Sequence, residues 1–188
     1  MATVGCRHLT AVKWDETTKK YDKTPKTFEV VKSIDITPTT YESKNTYSDA
    51  VREVVTGTSS VEVAINTADL TPEEIMYFLG GTQDEATGVI TFSVKDKPIT
   101  CALMFESLLS DLENSRYTCI YRCKAHQPKE SYKSKVENGV EFQDKQIVFT
   151  CIPDETGDYK AQIDSTNSKA AEAIKKWYEY PFGYAPEV

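Results

Sequence analysis

The chain has 188 residues and a formal net charge of −7, with 39% of its residues hydrophobic and 27% charged. That length suffices for one domain with a sizeable core. A pI near 5.0 argues against a sequence-reading nucleic-acid binder, whose phosphate contacts need clustered Lys and Arg. No apolar run approaches the ~18 residues that cross a bilayer, and the N-terminus lacks the layout of a signal peptide, so the chain is expected to be made in the cytosol and to bind no membrane.

Residues 6–14 and 27–36 read as strands. In the second, the residues Phe28, Val30, Ile34 and Ile36 share a face that Lys32 interrupts. A polar loop rich in Thr and Lys, Asp15 to Pro25, separates the two. Thr37 to Asp49, TPTTYESKNTYSD, is almost wholly polar and has no core pattern. It reads as a long loop, and loops of that length without structure of their own are functional or disordered. Across 51–66, Val61, Val63 and Ile65 alternate with Glu62 and Ala64, and Gly57-Thr58-Ser59-Ser60 marks a turn or bulge inside the run.

Thr71-Pro72-Glu73-Glu74 starts a helix. Thr71 caps free N–H groups, Pro72 suits the first helical position, and Glu74 completes a capping box. Gly80 closes it, with Ile75, Met76, Phe78 and Leu79 on the buried side. Strands are predicted over 88–95, 99–107, 116–124, 140–152 and 158–164. Ile99, Cys101, Leu103 and Phe105 share one face of the second of these, although Leu108 and Leu112 also admit a helix over 103–112. In the third, Tyr117, Cys119, Tyr121 and Cys123 share a face. Asn167-Ser168 caps a final helix over 169–179, with Ala170, Ala173, Ile174 and Trp177 as its apolar stripe. About eight strands and two short helices make a mainly β fold, an antiparallel sandwich or barrel with helices at its side. Residues 1–188 read as a single domain with a long arm, 37–50, and an aromatic tail, 179–188, that docks on its own domain or on a neighbour.

The residues that could carry chemistry point elsewhere. Five cysteines, Cys6, Cys101, Cys119, Cys123 and Cys151, are odd in number and scattered through strand patterns, which argues against a disulfide framework. Cys119, Cys123 and His126 have the spacing C-x3-C-x2-H, but residues four apart on a strand stand about 13 Å apart at ~3.3 Å per residue, too far for two Zn–S bonds of ~2.3 Å. Cys6-Arg7-His8 shares that weakness. The two histidines, His8 and His126, sit in no nucleophile motif, and the acidic pairs 73–74, 84–85 and 154–155 have capping or turn explanations. No catalytic residue, metal or cofactor is expected.

The stretch from Tyr121 to Cys151, YRCKAHQPKESYKSKVENGVEFQDKQIVFTC, carries a resemblance. Tyr121-x-Cys123-Lys124 ends a strand, Pro128-Lys129-Glu130 lies in the connection, and Val140 to Gln143 starts the next strand. With Asp69-Leu70-Thr71, the helix ending Leu79-Gly80-Gly81, and Ala102 to Ser107, this order resembles the major tail proteins of long, non-contractile phage tails, chiefly of phages of Gram-positive bacteria. The likeness runs from about Tyr47 to the C-terminus. One departure is that the family's turn before Arg116-Tyr117 is often tightened by glycine, and Asp111 to Ser115 contains none.

The resemblance implies a tail-tube fold and a structural virion protein that closes into hexameric rings, stacked into the tube through which DNA leaves the capsid. Its partners would be copies of itself, a tape-measure protein and other tail proteins, and DNA would pass without specific binding. Inter-ring and subunit contacts are expected at Tyr41, Tyr47, Lys129, Lys133 and Tyr184. Lumen-facing carboxylates are expected at Glu29, Asp35, Glu53 and Glu62, in the region with which the family lines its tube. The alternatives are a monomeric ligand- or carbohydrate-binding β-sandwich, a tail terminator or baseplate adaptor of related fold, and a zinc- or thiol-dependent enzyme built on the cysteines.

Overall fold

The computed structural model describes residues 2–47, 50–130 and 144–184. In chain order its elements are β1 (Thr3–Asp15), β2 (Lys20–Tyr21), β3 (Lys26–Phe28), β4 (Val31–Tyr47), β5 (Ala50–Thr67), α1 (Pro72–Leu79), β6 (Thr82–Gln83), β7 (Ile90–Thr91), β8 (Thr100–Leu109), β9 (Ser115–Ala125), β10 (Lys145–Cys151), β11 (Lys160–Asp164) and α2 (Ala171–Lys175). The main sheet is antiparallel and runs β2-β1-β8-β9-β10-β5-β4, with β3 also on β1 and β11 also on β9.

Three strands, β1, β8 and β9, form the spine, and both their faces are buried. This is why β8 reads as a continuous apolar run, TCALMF, rather than as a clean alternation. On one side Cys101, Leu103 and Phe105 join Leu9, Ala11, Val61, Val63, Ile65, Phe78 and Phe149 in the larger core. On the other, Ala102 and Met104 meet Val12, Trp14, Tyr21, Cys119, Tyr121 and Trp177. The strand reading of 103–109 holds against the helical one.

Helix α1 forms as the sequence predicts. The Glu74 N–H donates to Thr71 Oγ1 (3.3 Å), and the Thr71 N–H donates to Glu74 Oε2 (2.8 Å). This reciprocal cap satisfies donors that the first turn leaves open. Ile75, Phe78 and Leu79 are buried, while Met76 is only partly so. Gly80 ends the helix in the left-handed region (φ 82), where a Cβ would also stand 2.8 Å from the Lys97 carbonyl oxygen.

Several expectations change. Residues 27–36 are two strands, broken at Glu29-Val30, and Val30 is exposed instead of sharing the buried face of Phe28. The strand expected over 88–95 shrinks to Ile90–Thr91. The last helix spans only 171–175. Its first N–H groups have no side-chain cap, because the Asn167 carboxamide oxygen is taken by the Lys169 N–H (3.0 Å).

The largest correction concerns Thr37 to Asp49. Rather than a loop, β4 pairs with β5 along its length, from Val31↔Thr67 to Tyr47↔Ala50. The pattern hid this because burial alternation marks a strand only where a core lies beneath it. Here the strand former is the β-branched Thr and Val content of both arms, with no core below. A second correction concerns β9. Arg122 has φ +46, and the β8–β9 register shifts between Cys101 and Leu103. Side-chain alternation changes phase at that bulge. Cys119 and Tyr121 therefore enter the smaller cluster, while Cys123 and Ala125 enter the larger one. The four residues expected on one face are divided.

Candidate functional site

β10 accompanies β5 only from Thr67 to Val61. Beyond that point β4 and β5 continue alone as a two-stranded ribbon, residues 39–47 and 50–60. Nine residues at ~3.3 Å each make it about 30 Å long. A two-stranded ribbon is marginal in water by itself, and Tyr41, Val54 and Val55 are half exposed on it. The outer edge of β4 has no neighbouring strand among the described residues. Pro38, which lacks an N–H, fits that edge.

Register decides which side chains share a face. Asp35 faces Ala64, Thr37 faces Glu62, and Tyr41 faces Gly57. Between Thr39↔Ser60 and Thr40↔Thr58 the register skips Ser59, the bulge expected at 57–60. That extra residue reverses the alternation of β5 and not of β4, so Glu53, opposite Asn45, falls on the face of Asp35, Glu62 and Tyr41. Glu29 lies apart, exposed in the β3–β4 connection. Three of the four acidic candidates are thus brought together.

That face continues across the sheet. One row runs Thr37, Glu62, Thr150, Lys124 over β4, β5, β10 and β9. Beside it, Asn66 Nδ2 donates to Ser33 Oγ (2.8 Å), Gln146 Nε2 donates to Asn66 Oδ1 (2.9 Å), and His126 Nε2 lies 2.7 Å from Thr150 Oγ1. Lys32 pairs with Asp144. The surface is polar and mixed in sign, with its carboxylates on the ribbon side.

The remaining contact candidates are spread out. Lys129 is exposed after β9. Lys133 lies outside the described residues, as does the side chain of Tyr47, whose backbone closes β4. Tyr184 is placed against its own domain, the intramolecular alternative for the tail. Its ring meets those of Tyr21, Trp14 and Tyr121 at 5.0, 5.8 and 5.9 Å, and its hydroxyl donates to Asp154 Oδ2 (2.8 Å). Burial, together with that hydrogen bond, pushes the Tyr184 phenol up to about 12, so it remains a donor.

The cysteine motifs do not converge. Cys119 and Cys123 lie on opposite sides of β9, and His126 is exposed. Burial pushes the Cys101 and Cys119 thiols up to about 12, so both are neutral at pH 7. His8 meets Glu106 rather than a cysteine, with Nδ1 2.8 Å from Oε1, and Arg7 bonds the same buried carboxylate. Among the described residues no three His, Cys, Asp or Glu side chains gather as a metal site.

The reading against disulfides is overturned: Cys123 and Cys151 form a disulfide. They are direct partners across β9 and β10. The Ile152 N–H donates to the Arg122 carbonyl (3.3 Å), which makes Cys123↔Cys151 a non-hydrogen-bonded pair, the kind in which side chains approach closest. Spacing alone could not show this, because the register depends on the bulge at Arg122.

The fold is mainly antiparallel β, its polar clusters serve caps, turns and ion pairs, and a bare ribbon extends from it. Residues 20–180 match the family described as phage tail tube protein, and the chain belongs to that family. It is a structural component of the phage virion tail. No curated protein matches it. Among solved structures the chain is similar to the tube-terminating cap of the anti-feeding prophage, at 8% identity and a TM-score of 0.47, over 84% of this chain and 89% of that one. It is also similar to a chain of the sheath–tube complex of an extracellular contractile injection system in its extended state, at 9% identity and a TM-score of 0.44, over 83% and 88% of the two chains. No helix among the described residues is long and apolar enough to cross a membrane.

Proposed function

We propose that this chain is the repeating subunit of the tail tube: a single tail-tube domain that closes into hexameric rings, which stack around a tape-measure protein and later conduct DNA. The observation that carries this reading is the β4–β5 ribbon, which leaves the sheet with its described side chains largely exposed and, among the described residues, both edges unpaired. Rings need a heterologous contact between two different patches, and stacking needs another along the axis. A neighbouring subunit would cover the ribbon and satisfy its edge. The proposed contacts are Tyr41 and Tyr47 on the ribbon, with Lys129, Lys133 and the tail residue Tyr184 away from it.

The same geometry suits a conduit. DNA carries one charge per ~1.7 Å of axis, and a wall presenting Asp35, Glu53 and Glu62 repels it within a Debye length of about 8 Å at physiological salt. Glu29 would add to that wall from the β3–β4 connection. Passage without binding then requires no recognition residue. Size-exclusion chromatography with negative-stain microscopy of the purified protein tests the proposal. Rings or open-ended tubes are expected. A folded monomer that persists even when a preformed ring is supplied would overturn it and favour a binding β-sandwich, and single rings that never elongate would favour a terminator or adaptor.

A further inference from the structure

β10 joins two halves of the molecule. It pairs with β5 over seven residues, Lys145 to Cys151, but with β9 over only three, Phe149 to Cys151. In the hydrogen-bonded sheet, the spine β1-β8-β9 reaches the ribbon β5-β4 through that three-pair seam alone among the described residues. The Cys123–Cys151 bond crosses the seam at its last pair. A third cysteine, Cys101, lies opposite Cys123 on the other side, but its thiol is directed at the Cys123 carbonyl oxygen (3.5 Å). All three are fully buried.

A phage tail protein lives in two redox compartments. The bacterial cytosol keeps thiols reduced, while disulfides persist outside the cell. We propose that Cys123–Cys151 is a maturation bond. The subunit folds and assembles with both thiols reduced, and the bond closes after release, fastening the ribbon to the spine. The inference rests on the tail-tube reading for its two compartments.

The chemistry needs only a small-molecule disulfide as oxidant. The Cys151 thiolate attacks one sulfur of that disulfide, its S–S bond breaks, and one small thiol leaves. The Cys123 thiolate then displaces the second small thiol from the mixed disulfide. Two protein thiols are oxidised, one disulfide is reduced to two thiols, and their protons balance. Access comes from the end of the strand. Cys151 is the last residue of β10, Ile152 beyond it is 49% exposed, and Pro153 has no N–H with which to continue the ladder. Fraying at that end exposes Cys151 first.

The test counts thiols. Cells making the protein are lysed directly into denaturant with N-ethylmaleimide. A second portion is lysed in buffer, incubated with glutathione disulfide, and only then denatured and alkylated. Five adducts are expected from the first and three from the second, with a peptide linking Cys123 to Cys151. Five adducts in both, three already present in the cells, or a link through a different cysteine would each overturn the proposal. Oxidation should also raise the melting temperature of the wild type and not of Cys151→Ala; an equal rise in the variant would overturn the fastening role. Micrographs of the same samples judge tube formation independently, so failure of the assembly reading is distinguishable from failure of this one.

Discussion

The ring of Tyr41 lies over Gly57 on the neighbouring strand, so near that a Cβ at residue 57 would stand 2.4 Å from the Tyr41 hydroxyl oxygen. The two are direct partners in the ribbon, and the aromatic covers backbone that glycine leaves bare.

Replacing Gly57 by Ala should therefore expel the ring. Tyr41 is 53% exposed, so it can swing into solvent, and the change in stability should stay within about 1 kcal/mol. Tube elongation should fall sharply with the melting temperature nearly constant. Normal elongation by both Gly57→Ala and Tyr41→Ala would remove Tyr41 from the proposed contacts.

Asp35, Glu53 and Glu62 share one face of the β4–β5 pair, and their joint replacement by Lys tests the conduit. All three are exposed, so folding and assembly should survive. DNA ejection should slow at low salt and recover at high salt, where screening is stronger. Ejection at the wild-type rate in low salt would show that this face does not line the path.

Leu112 adopts φ 58 in the turn between β8 and β9, at the place where a glycine is missing. The left-handed region costs a side-chain-bearing residue about 1–2 kcal/mol, against about 0.5–1 kcal/mol for the extra chain entropy of glycine. Leu112 is 68% exposed and loses little packing. Leu112→Gly should raise stability by up to about 1 kcal/mol, seen as a melting temperature ~2–4 °C higher. A lower one would mean that Leu112 contributes contacts the turn needs.

Arg116 and Asp164 form a two-point pair, Nε–Oδ1 at 2.6 Å and Nη2–Oδ2 at 2.8 Å. The hydrogen bonds from Arg116 hold the Asp164 carboxyl below its ordinary value. The stabilisation is therefore complete above the unfolded value of about 3.9 and is lost as pH falls through the lower folded one. Both side chains are 33% exposed, so screening limits the effect. Asp164→Asn should cost about 0.5–1 kcal/mol at pH 7. Chemical denaturation at descending pH should show that difference closing in acid; a gap independent of pH would assign the loss to packing.

Cys119 is fully buried among Tyr121, Met104 and Trp177. The Phe182 backbone hydrogen-bonds the Cys119 thiol. A serine Oγ sits on a shorter bond and meets that partner poorly, so serine should be less stable than alanine, by up to about 1–3 kcal/mol, the cost of an uncompensated buried hydroxyl. Denaturation midpoints of the two variants decide it, and a more stable serine variant would show that the hydroxyl keeps that partner.

Much of the fold was legible wherever one face met the core. Val61, Val63 and Ile65, the capped start at Thr71, and the shared face of Cys101, Leu103 and Phe105 all follow from periodicity and end chemistry. What escaped depends on registers between strands. The bulges at Ser59 and Arg122 change the phase of alternation, so extending a period of two across Arg122 misassigned Cys123, and the face common to Glu53 and Glu62 follows only once the Ser59 bulge is counted. The ribbon escaped because nothing lies beneath it to write an apolar pattern. The acidic candidates were legible as polar positions on strands, but their common face emerges only from the β4–β5 pairing, and Glu29 proved separate.

The narrow seam between β9 and β10 has a mechanical meaning as well. Within the hydrogen-bond ladder, tension on the β4–β5 ribbon passes down seven rungs shared with β10 and then three shared with β9. A ladder yields where it is shortest, and among the described residues this junction is the shortest ladder on that route. With the bridge closed, a covalent bond spans that junction, and its separation no longer depends on three hydrogen-bonded pairs alone.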